Sequence, residues 1–164
     1  MKILVLSDSH SSLGTMRRGI EKLKPNQVIH LGDTMDDARA LAQEYPQLRF
    51  HMVPGNCDRR WSGQPQPDIL CYNVGGVLLY MTHGHRHGVK SGTEYLLAAA
   101  REKGAQAVLF GHTHCAVCRK EEDGLWVINP GSCGMGERSM AIIETQTDKI
   151  SACYIVSQAE LWEI

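Results

Sequence analysis

The chain has 164 residues, of which 43% are apolar and 21% charged, and its formal net charge is −1 with the histidines neutral. This is the composition of an ordinary globular protein that can bury a sizeable core, and we expect one domain over residues 1–164. The near-neutral charge and the lack of a Lys/Arg block argue against an extended nucleic-acid surface, because phosphate binding normally requires a basic face.

Targeting signals are also absent from the sequence pattern. No segment approaches the roughly 18 apolar residues that a membrane helix needs. The apolar run at residues 1–6 is too short for a signal peptide, and Asp8 interrupts it. We therefore expect a cytoplasmic protein without a membrane partner, in which the six cysteines are reduced.

The first third of the chain predicts alternating strands and helices. Apolar runs typical of buried strands lie at residues 2–7 and 28–31, and residues 48–53 form a third predicted strand. Between them, apolar residues recur at helical spacing from Leu13 to Leu23 and again after Thr34, which with Asp37 resembles a capping box. This β–α–β–α–β order predicts parallel strands with right-handed crossovers.

The remainder of the chain predicts a second sheet. Gly75-Gly76 joins two strand-like runs as a hairpin, and Ser91 with Glu94 resembles a second capping box. Residues 61–68, rich in Pro, Gly and Gln, predict a surface loop. The strands expected here lie at 69–74, 77–82, 107–110, 115–121, 125–129, 139–144 and 149–155, the last four antiparallel. The whole pattern predicts an α/β fold with two stacked sheets and helices outside.

Groups of potential metal ligands follow five of the strand-like runs. They are Asp8-Ser9-His10, Gly32-Asp33, Gly55-Asn56-Cys57-Asp58, His83-Gly84-His85 and Gly111-His112-Thr113-His114. Because ligands of open α/β sheets bind beyond the carboxyl ends of the strands, we expect these groups to meet. Carboxylate, imidazole and amide ligands suit two divalent cations that share a carboxylate. Two divalent cations bring four positive charges, of which Asp8 and Asp33 would neutralise two. The remaining positive charge can bind an anionic oxygen and lower the pKa of a bound water, as phosphoester hydrolysis requires.

In this order the groups resemble the motifs of the calcineurin-like metallophosphoesterases, which are Asp-x-His, Gly-Asp, Gly-Asn-His-Glu/Asp, His and Gly-His-x-His. The small size and the Gly-Asn-Cys-Asp group are similar to the compact bacterial and archaeal phosphodiesterases of the YfcE type. The resemblance implies a four-layer αββα sandwich, in which two mixed β-sheets lie face to face between flanking helices. It also implies a metal-dependent hydrolase, and we expect its substrate to be a small phosphodiester or phosphomonoester.

The resemblance further implies a role for each ligand. The first metal would be held by Asp8, His10 and His114, the second by Asn56, His83 and His112, with Asp33 bridging the two. A hydroxide that bridges the metals would attack phosphorus. The family is often manganese-dependent, so Mn²⁺ is expected, although iron, zinc or nickel also suits these ligands.

One position departs from the family pattern. Cys57 stands where the family has a histidine that commonly protonates the leaving oxygen or binds the phosphate. A thiol, with a reference pKa of about 8.5, can donate a proton but is a poorly matched acid. Asp58 also loses the histidine that it would orient, and His85 is an alternative donor. The catalytic candidates are therefore Asp33, Asn56, Cys57, Asp58 and His85, and the weak acid predicts a preference for good leaving groups, such as aryl phosphodiesters.

Other polar residues have structural interpretations. His30 lies within a predicted strand and is interpreted as a core histidine, and His51 as a surface strand residue. Cys115-x-x-Cys118 has no second pair at zinc spacing, so packing is the better interpretation. The segment 129–132 is interpreted as a rigid turn that supports the histidine loop.

A second class of function stays open. The retromer subunit Vps29 shares the fold and similar histidine motifs, yet serves mainly as a scaffold, which would imply an exposed apolar patch and negligible turnover. Its pattern is altered at the positions of Asp33 and Asn56, which are both intact here and favour catalysis. A family exonuclease would need an added DNA-gripping domain, for which the chain has no room. Arg59 and Arg60 are interpreted equally as phosphate attractors or exposed loop residues, and the chain can form a homo-oligomer.

Overall fold

The structure is a computed structural model that describes residues 1–58 and 66–163. Arg59 and Arg60, and most of the loop predicted at 61–68, lie outside the described residues. The elements are, in chain order, β1 Lys2–Leu6, α1 Leu13–Leu23, β2 Gln27–His30, α2 Met35–Glu44, β3 Arg49–Met52, β4 Ile69–Val74, β5 Val77–Thr82, α3 Glu94–Glu102, β6 Ala107–Leu109, β7 Val117–Lys120, β8 Trp126–Asn129, β9 Ser139–Gln146, β10 Lys149–Ser157 and α4 Gln158–Glu163. A 3₁₀ turn at His85–His87 lies between β5 and α3.

The strands form two mixed five-stranded sheets. The first sheet has the order β10-β9-β1-β2-β3, in which β1, β2 and β3 are parallel, as predicted, and β9 is antiparallel to both of its neighbours. The second sheet has the order β4-β5-β6-β8-β7. Its central strands β5, β6 and β8 are parallel, and the edge strands β4 and β7 are antiparallel to their neighbours. The strand β8 is therefore antiparallel to β7 but parallel to β6.

Strand β1 shows why the two sheets stack. Its side chains alternate between faces, and both faces are buried. Ile3 and Val5 belong to the core between the sheets, together with Leu79 and Leu109 of the second sheet. Leu4 and Leu6 lie on the other face of β1 and pack in a core with Met16 of α1 and Leu41 of α2. A third core lies between the second sheet and α3. This arrangement is the αββα sandwich that the resemblance implied.

Local signals for the helix ends were less accurate. Thr34 is the N-cap of α2 but makes no side-chain cap hydrogen bond, and its backbone is left-handed. The N-cap of α3 is Thr93 rather than Ser91, again without a side-chain bond. Both predicted capping boxes are therefore wrong. The short helix α4 was not predicted, and Leu161 anchors it in the core with α1.

Two interpretations of polar and sulfur residues are also corrected. His51 is buried rather than exposed, and its ring nitrogens lie 2.6 Å from Tyr72 Oη and from Gln27 Oε1. The structure brings the sulfur atoms of Cys118 of β7 and Cys153 of β10 together, so these two residues are positioned to pair, and the expectation that the cysteines are reduced stays a prediction. Cys115 is exposed, which contradicts its assignment to packing.

None of the helices in the described part of the chain has the length and apolar content that spanning a bilayer requires.

Candidate metal centre

The predicted ligands meet at one edge of the sandwich, beyond the carboxyl ends of β1, β2, β3, β5 and β6. The parallel pairing of the first sheet continues into its loops, because the Asp8 N–H donates to the Gly32 carbonyl at 2.9 Å and the Ser9 N–H to the Asp33 carbonyl at 3.2 Å. The second sheet faces them with the residues that follow β5 and β6. The prediction that the five groups converge is thus confirmed, as expected for strand ends of stacked parallel sheets.

The ligand atoms form two groups. Asp8, His10 and His114 make one, and Asp33, His83 and His112 make the other, and within each group the atoms lie within 4.8 Å of one another. In the first group, His114 Nε2 is 3.1 Å from Asp8 Oδ1 and 3.4 Å from His10 Nε2. Ligands about 2.1 Å from one ion lie roughly 3–4 Å apart, so these spacings fit a shared cation.

The two groups adjoin each other at His83. Its Nε2 lies 3.1 Å from Asn56 Oδ1 and 3.5 Å from Asp33 Oδ2, which adds the Asn56 amide to the second group. The same nitrogen is 4.0 Å from Asp8 Oδ1, a member of the first group. The carboxylates of Asp8 and Asp33 therefore share one neighbourhood, as two adjacent cations require.

Burial divides the centre into a floor and a rim. Asp8 and His83 are fully buried and Asp33 is 3% exposed, whereas His10 and His112 are partly exposed. His114 and Asn56 are exposed and stand at the rim. The ion-pair partners of both buried carboxylates are histidines. Two negative charges held in this way require a positive group, because an uncompensated buried carboxylate is costly.

The orientation of His83 is set by a backbone carbonyl. Its Nδ1 lies 2.7 Å from the Leu31 oxygen, so Nδ1–H donates there and Nε2 presents its lone pair to the centre. Burial opposes protonation of this ring, but Asp33 and Asp8 outweigh it and raise the pKa of His83. A proton and a metal cation compete for the same Nε2 lone pair. The carboxylates of Asp33 and Asp8, which favour protonation of His83, would therefore also favour binding of a cation there.

Asp33 is kept ionised by its neighbours. Burial opposes ionisation, but the His83 ring, when its Nε2 also carries a proton, and the Cys57 N–H, which is 2.8 Å from Oδ1, together lower the pKa of Asp33. Burial, followed by the charge of His83, lowers the pKa of His112 and so favours its neutral form. An ionised carboxylate and a neutral imidazole are the protonation states that bind metals.

Most of the ligands sit on strained backbone. Left-handed φ angles occur at five of the seven predicted metal residues, namely Asp8 (52°), His10 (43°), Asp33 (60°), His112 (66°) and His114 (59°). Such conformations of non-glycine residues cost about 1 kcal/mol or more each and concentrate at functional sites. The surrounding hydrogen bonds must therefore hold these turns in place.

Two glycines are required by close approach. A Cβ on Gly55 would collide with the carboxylate and backbone nitrogen of Asp33, and one on Gly111 would collide with Ser7 Oγ and Asp8 Oδ2. Neither residue needs a positive φ, so the reason is space rather than backbone freedom. These glycines let the loops carry Asn56 and His112 up to the buried carboxylates.

The catalytic candidates lie at the same edge. Cys57 is exposed, and its Sγ accepts a hydrogen bond from Asn56 Nδ2 at 3.4 Å. Burial, and then Asp33, raises the pKa of the Cys57 thiol. His85 lies with its ring centroid 5.4 Å from that of His83 and 6.1 Å from that of His112, and its buried Nδ1 has no hydrogen-bond partner within the described residues.

Asp58 contacts backbone amides instead of a histidine. One carboxylate oxygen accepts the N–H groups of Asp33 (2.9 Å) and Gly55 (2.7 Å). The other accepts those of Thr34 (2.9 Å) and Met35 (2.7 Å). It thereby caps the first turn of α2 from a different loop, and it ties that turn to the Asn56 loop. Sequence reasoning missed this role, because Thr34 and Asp37 resemble a local capping box and so conceal the need for a distant cap.

Further supporting residues come from the segment after β8. Asn129 Nδ2 donates to the Gly111 carbonyl at 3.1 Å and to Thr113 Oγ1 at 3.0 Å, so the predicted turn does support the histidine loop. Ser132 Oγ donates to the Asp8 carbonyl at 2.7 Å and holds the other group. Ser132 belongs to the segment 129–132 that was predicted as a supporting turn, but its hydrogen bond to the Asp8 loop was not predicted.

Comparison with known proteins identifies the family. Residues 1–148 match the model of the calcineurin-like phosphoesterase superfamily domain, and the chain belongs to this family. The chain is 32% identical over 156 residues to the probable metallophosphoesterase YsnB of Bacillus subtilis, covering 90% of this chain and 86% of that protein. It is 29% identical over 149 residues to the phosphodiesterase MJ0936 of Methanocaldococcus jannaschii, covering 81% and 84%.

Solved structures agree on the fold. The crystal structure of a predicted phosphoesterase from Streptococcus pneumoniae matches with a TM-score of 0.70 at 26% identity, covering 95% of this chain and 97% of that one. The Zn²⁺ complex of Vps29 from Entamoeba histolytica matches with a TM-score of 0.70 at 19% identity, covering 96% and 99%. At that identity the second likeness shows the fold alone. The predicted family and the αββα fold are thus confirmed, and the two ligand groups are candidate metal sites of a metallophosphoesterase domain.

Proposed function

We propose that this protein is a binuclear metal-dependent phosphodiesterase that hydrolyses small phosphodiesters, with phosphomonoesters as the other candidate substrates. The first cation is assigned to Asp8, His10 and His114, and the second to Asn56, His83 and His112, with Asp33 between them. Mn²⁺ is the expected metal, and iron, zinc and nickel are compatible with the same ligands. The relative from M. jannaschii that is named a phosphodiesterase supports the diester class.

One observation carries this proposal. A single imidazole nitrogen, His83 Nε2, lies within 4.0 Å of both buried carboxylates, Asp8 and Asp33, each of which belongs to a separate ligand group. A protein that binds no cation would gain nothing from burying two carboxylates side by side on strained backbone. A pair of cations would compensate both charges and use every ligand.

The residues fit a divalent metal pair in donor type as well as position. Each group combines carboxylate oxygen with imidazole nitrogen, which is the donor set of Mn²⁺, Fe²⁺ and Zn²⁺ hydrolases. When bound, the two cations would lower the pKa of a water and neutralise charge on the phosphoryl oxygens.

The chain itself supplies orientation and access. The buried floor of Asp8, Asp33 and His83 is fixed by backbone hydrogen bonds, so these ligands need not rearrange during the reaction. Asn56 and His114 are exposed, so the centre is open to solvent on the side away from Asp8, Asp33 and His83. A phosphate group would enter from this exposed side.

Leaving-group protonation is assigned to Cys57 or His85, which border the second ligand group. Asp58 is assigned a positioning role, because its carboxylate is occupied by four backbone N–H groups. With only a thiol or a partly buried imidazole as donor, we expect rates to rise as the leaving group becomes more acidic. Rates for a series of aryl phosphodiesters of graded leaving-group pKa test this, and a flat dependence contradicts it.

The decisive experiment begins with metal analysis of the purified protein. Hydrolysis of a chromogenic phosphodiester is then measured with and without Mn²⁺ for the wild type and Asp33→Asn. Asp36→Asn is the matched control, because it makes the same charge change three residues away on the exposed side of α2. We expect Mn²⁺-dependent turnover in the wild type and in Asp36→Asn, and its loss in Asp33→Asn. Equal rates in all three would falsify the proposal.

Cys57 can be separated from the metal centre by substitution. Diester activity should survive Cys57→Ala better than Asp33→Asn, because the thiol is not assigned to either cation. Cys57→His restores the family donor, and its rates with monoesters and diesters distinguish proton delivery from substrate choice. The scaffold alternative, which rests on the Vps29-like fold, predicts metal binding without turnover in every variant.

A further inference from the structure

We propose that His30, Ser9 and Asp37 form a directed hydrogen-bond chain that positions two of the ligand-bearing turns of the first sheet, those after β1 and β2. They are positioning residues, since none is assigned to a cation. This inference rests on the proposed function, because the turns that it positions carry Asp8, His10 and Asp33.

The chain of contacts begins at His30, at the end of β2. Its ring is fully buried, and burial lowers the pKa of His30 to about 4, so the imidazole is neutral. The Gly32 N–H donates to Nδ1 at 3.3 Å, which places the ring proton on Nε2. Nε2 lies 3.3 Å from Ser9 Oγ, and the N–H therefore donates to the hydroxyl.

The Ser9 hydroxyl accepts a hydrogen bond from His30 and donates one to Asp37. Its side chain is fully buried, and Oγ lies 2.7 Å from Asp37 Oδ2, closer than the 3.3 Å to the carbonyl oxygens of Asp33 and Thr34. Because Asp37 accepts, the Ser9 hydroxyl donates to it. The same Asp37 oxygen accepts the Ser11 N–H at 2.9 Å. The chain thus starts in β2, crosses the loop after β1 and ends in α2.

Ser9 links this hydrogen-bond chain directly to the turn that carries Asp8 and His10. Ser9 lies between the ligands Asp8 and His10, which both have left-handed backbone, and Ser11 does as well, with φ 68°. Asp37 in α2 follows the other left-handed turn, at Asp33 and Thr34. A buried network of this kind has low tolerance for a missing member. If it is broken, the turn at Asp8–His10 can relax toward ordinary backbone angles, and the first ligand group loses its spacing.

His51 provides a matched control for His30. Both histidines are buried in strands of the first sheet, both make two hydrogen bonds, and burial lowers the pKa of each to about 4. The bonds of His51 go to Tyr72 and Gln27 rather than to a ligand-bearing turn. Loss of either ring should lower Tm, but only loss of His30 should affect the metal centre.

The experiment measures Mn²⁺ binding to metal-free protein by titration calorimetry, which requires no catalytic activity. We expect His30→Leu to weaken the apparent Kd for Mn²⁺ about tenfold or more, as is usual for loss of groups that support metal ligands. His51→Leu should stay within about twofold of the wild type by the same criterion. Equal Kd values for the two variants at comparable Tm would overturn the inference.

Asp37 supplies a second test with a conservative rescue. Both of its bonds in the chain go to one oxygen, so the single oxygen of Asp37→Asn can still accept them, while Asp37→Ala removes the acceptor. We expect Asp37→Asn to bind Mn²⁺ within about threefold of the wild type and Asp37→Ala about tenfold more weakly. If Asp37→Ala does not fold, Ser9→Ala takes its place, and Mn²⁺ binding by Ser9→Ala at the wild-type Kd overturns the inference.

These outcomes separate the two proposals. A wild-type protein that binds Mn²⁺ but hydrolyses no phosphoester would sink the proposed function, while the Kd values would still decide the role of the chain. Normal turnover with equal Kd values in all variants would sink only the positioning role. A wild-type protein that binds no Mn²⁺ would overturn both.

Discussion

The two sheets contribute different chemistry to the metal centre. In the proposed assignment, the loops of the first sheet supply every oxygen ligand, from Asp8, Asp33 and Asn56, and the single imidazole of His10. The loops of the second sheet supply imidazoles alone. Each ligand group contains members from both sheets, so neither sheet holds a complete site. The comparison shows that negative charge is concentrated on one layer and neutral donors on the other, and that stacking of the layers assembles the centre.

The strongest test of this division substitutes one ligand from each sheet within the same group. Asp8→Asn removes a fully buried charge that also accepts the His112 N–H at 3.1 Å, whereas His114→Asn removes an exposed rim donor. We expect Asp8→Asn to lower Mn²⁺-dependent kcat/KM by about 100-fold or more and His114→Asn by about tenfold. The opposite ranking would show that the rim, not the buried charge, dominates.

The second test addresses the four backbone hydrogen bonds that the Asp58 carboxylate accepts from loops of the first sheet. Asp58→Asn replaces one oxygen with an amide that faces two N–H donors, so two of the four hydrogen bonds are lost. We expect the free energy of unfolding, measured by urea denaturation, to fall by about 3 kcal/mol. Asp36→Asn, at an exposed position of α2, should cost less than about 1 kcal/mol. Similar decreases in the free energy of unfolding for the two variants would contradict this role of Asp58.

The third test concerns the polar contact between the sheets at His51. Burial lowers the pKa of this folded-state histidine to about 4, below the unfolded value of about 6.5, so the unfolded state binds the proton first. The contribution of His51 to stability is therefore present above pH 6.5 and is lost as the pH falls toward 4. Between pH 7 and pH 5, metal-free wild type should lose about 2 kcal/mol more stability than His51→Gln. Equal losses in denaturation at the two pH values would refute this.

The smallest effect is expected in the second sheet, at Asn129. Asn129→Ala removes the side chain that holds Gly111 and Thr113, which flank His112. We expect kcat/KM to fall about tenfold at limiting Mn²⁺ and less when Mn²⁺ is saturating, because weaker metal binding can be overcome by concentration. A loss that saturating Mn²⁺ does not reduce would point to a role of this loop beyond ligand placement.

Much of the fold and site followed from local patterns. The apolar runs predicted the parallel strands β1, β2 and β3, and Gly75-Gly76 predicted the hairpin of β4 and β5, because both signals lie within a few residues of sequence. The ligand groups were identified because each follows such a run. The extent of the domain, the cation assignments and the roles of Cys57 and His85 stay predictions, since no contact in the described residues tests them.

Hydrogen-bond partners were not predictable in the same way. Thr34 and Ser91 looked like helix caps, yet α2 is capped by Asp58, which is 24 residues from Thr34 in sequence. His51 was interpreted as a surface residue of its strand, but Tyr72 of the second sheet covers it. In both cases the choice was made by a group that is distant along the chain, and local propensity carries no information about it.

The order of the candidate metal ligands and the strand ends that carry them followed from short segments, because donor chemistry and strand periodicity are local properties. Which ligands share a group, which carboxylates are buried, and how Asp58, Asn129 and the residues from His30 to Asp37 contact the loops depend on the stacking of the sheets. A left-handed turn is costly on its own. It persists because partners from other elements supply hydrogen bonds, and those partners are brought together only when the sheets stack.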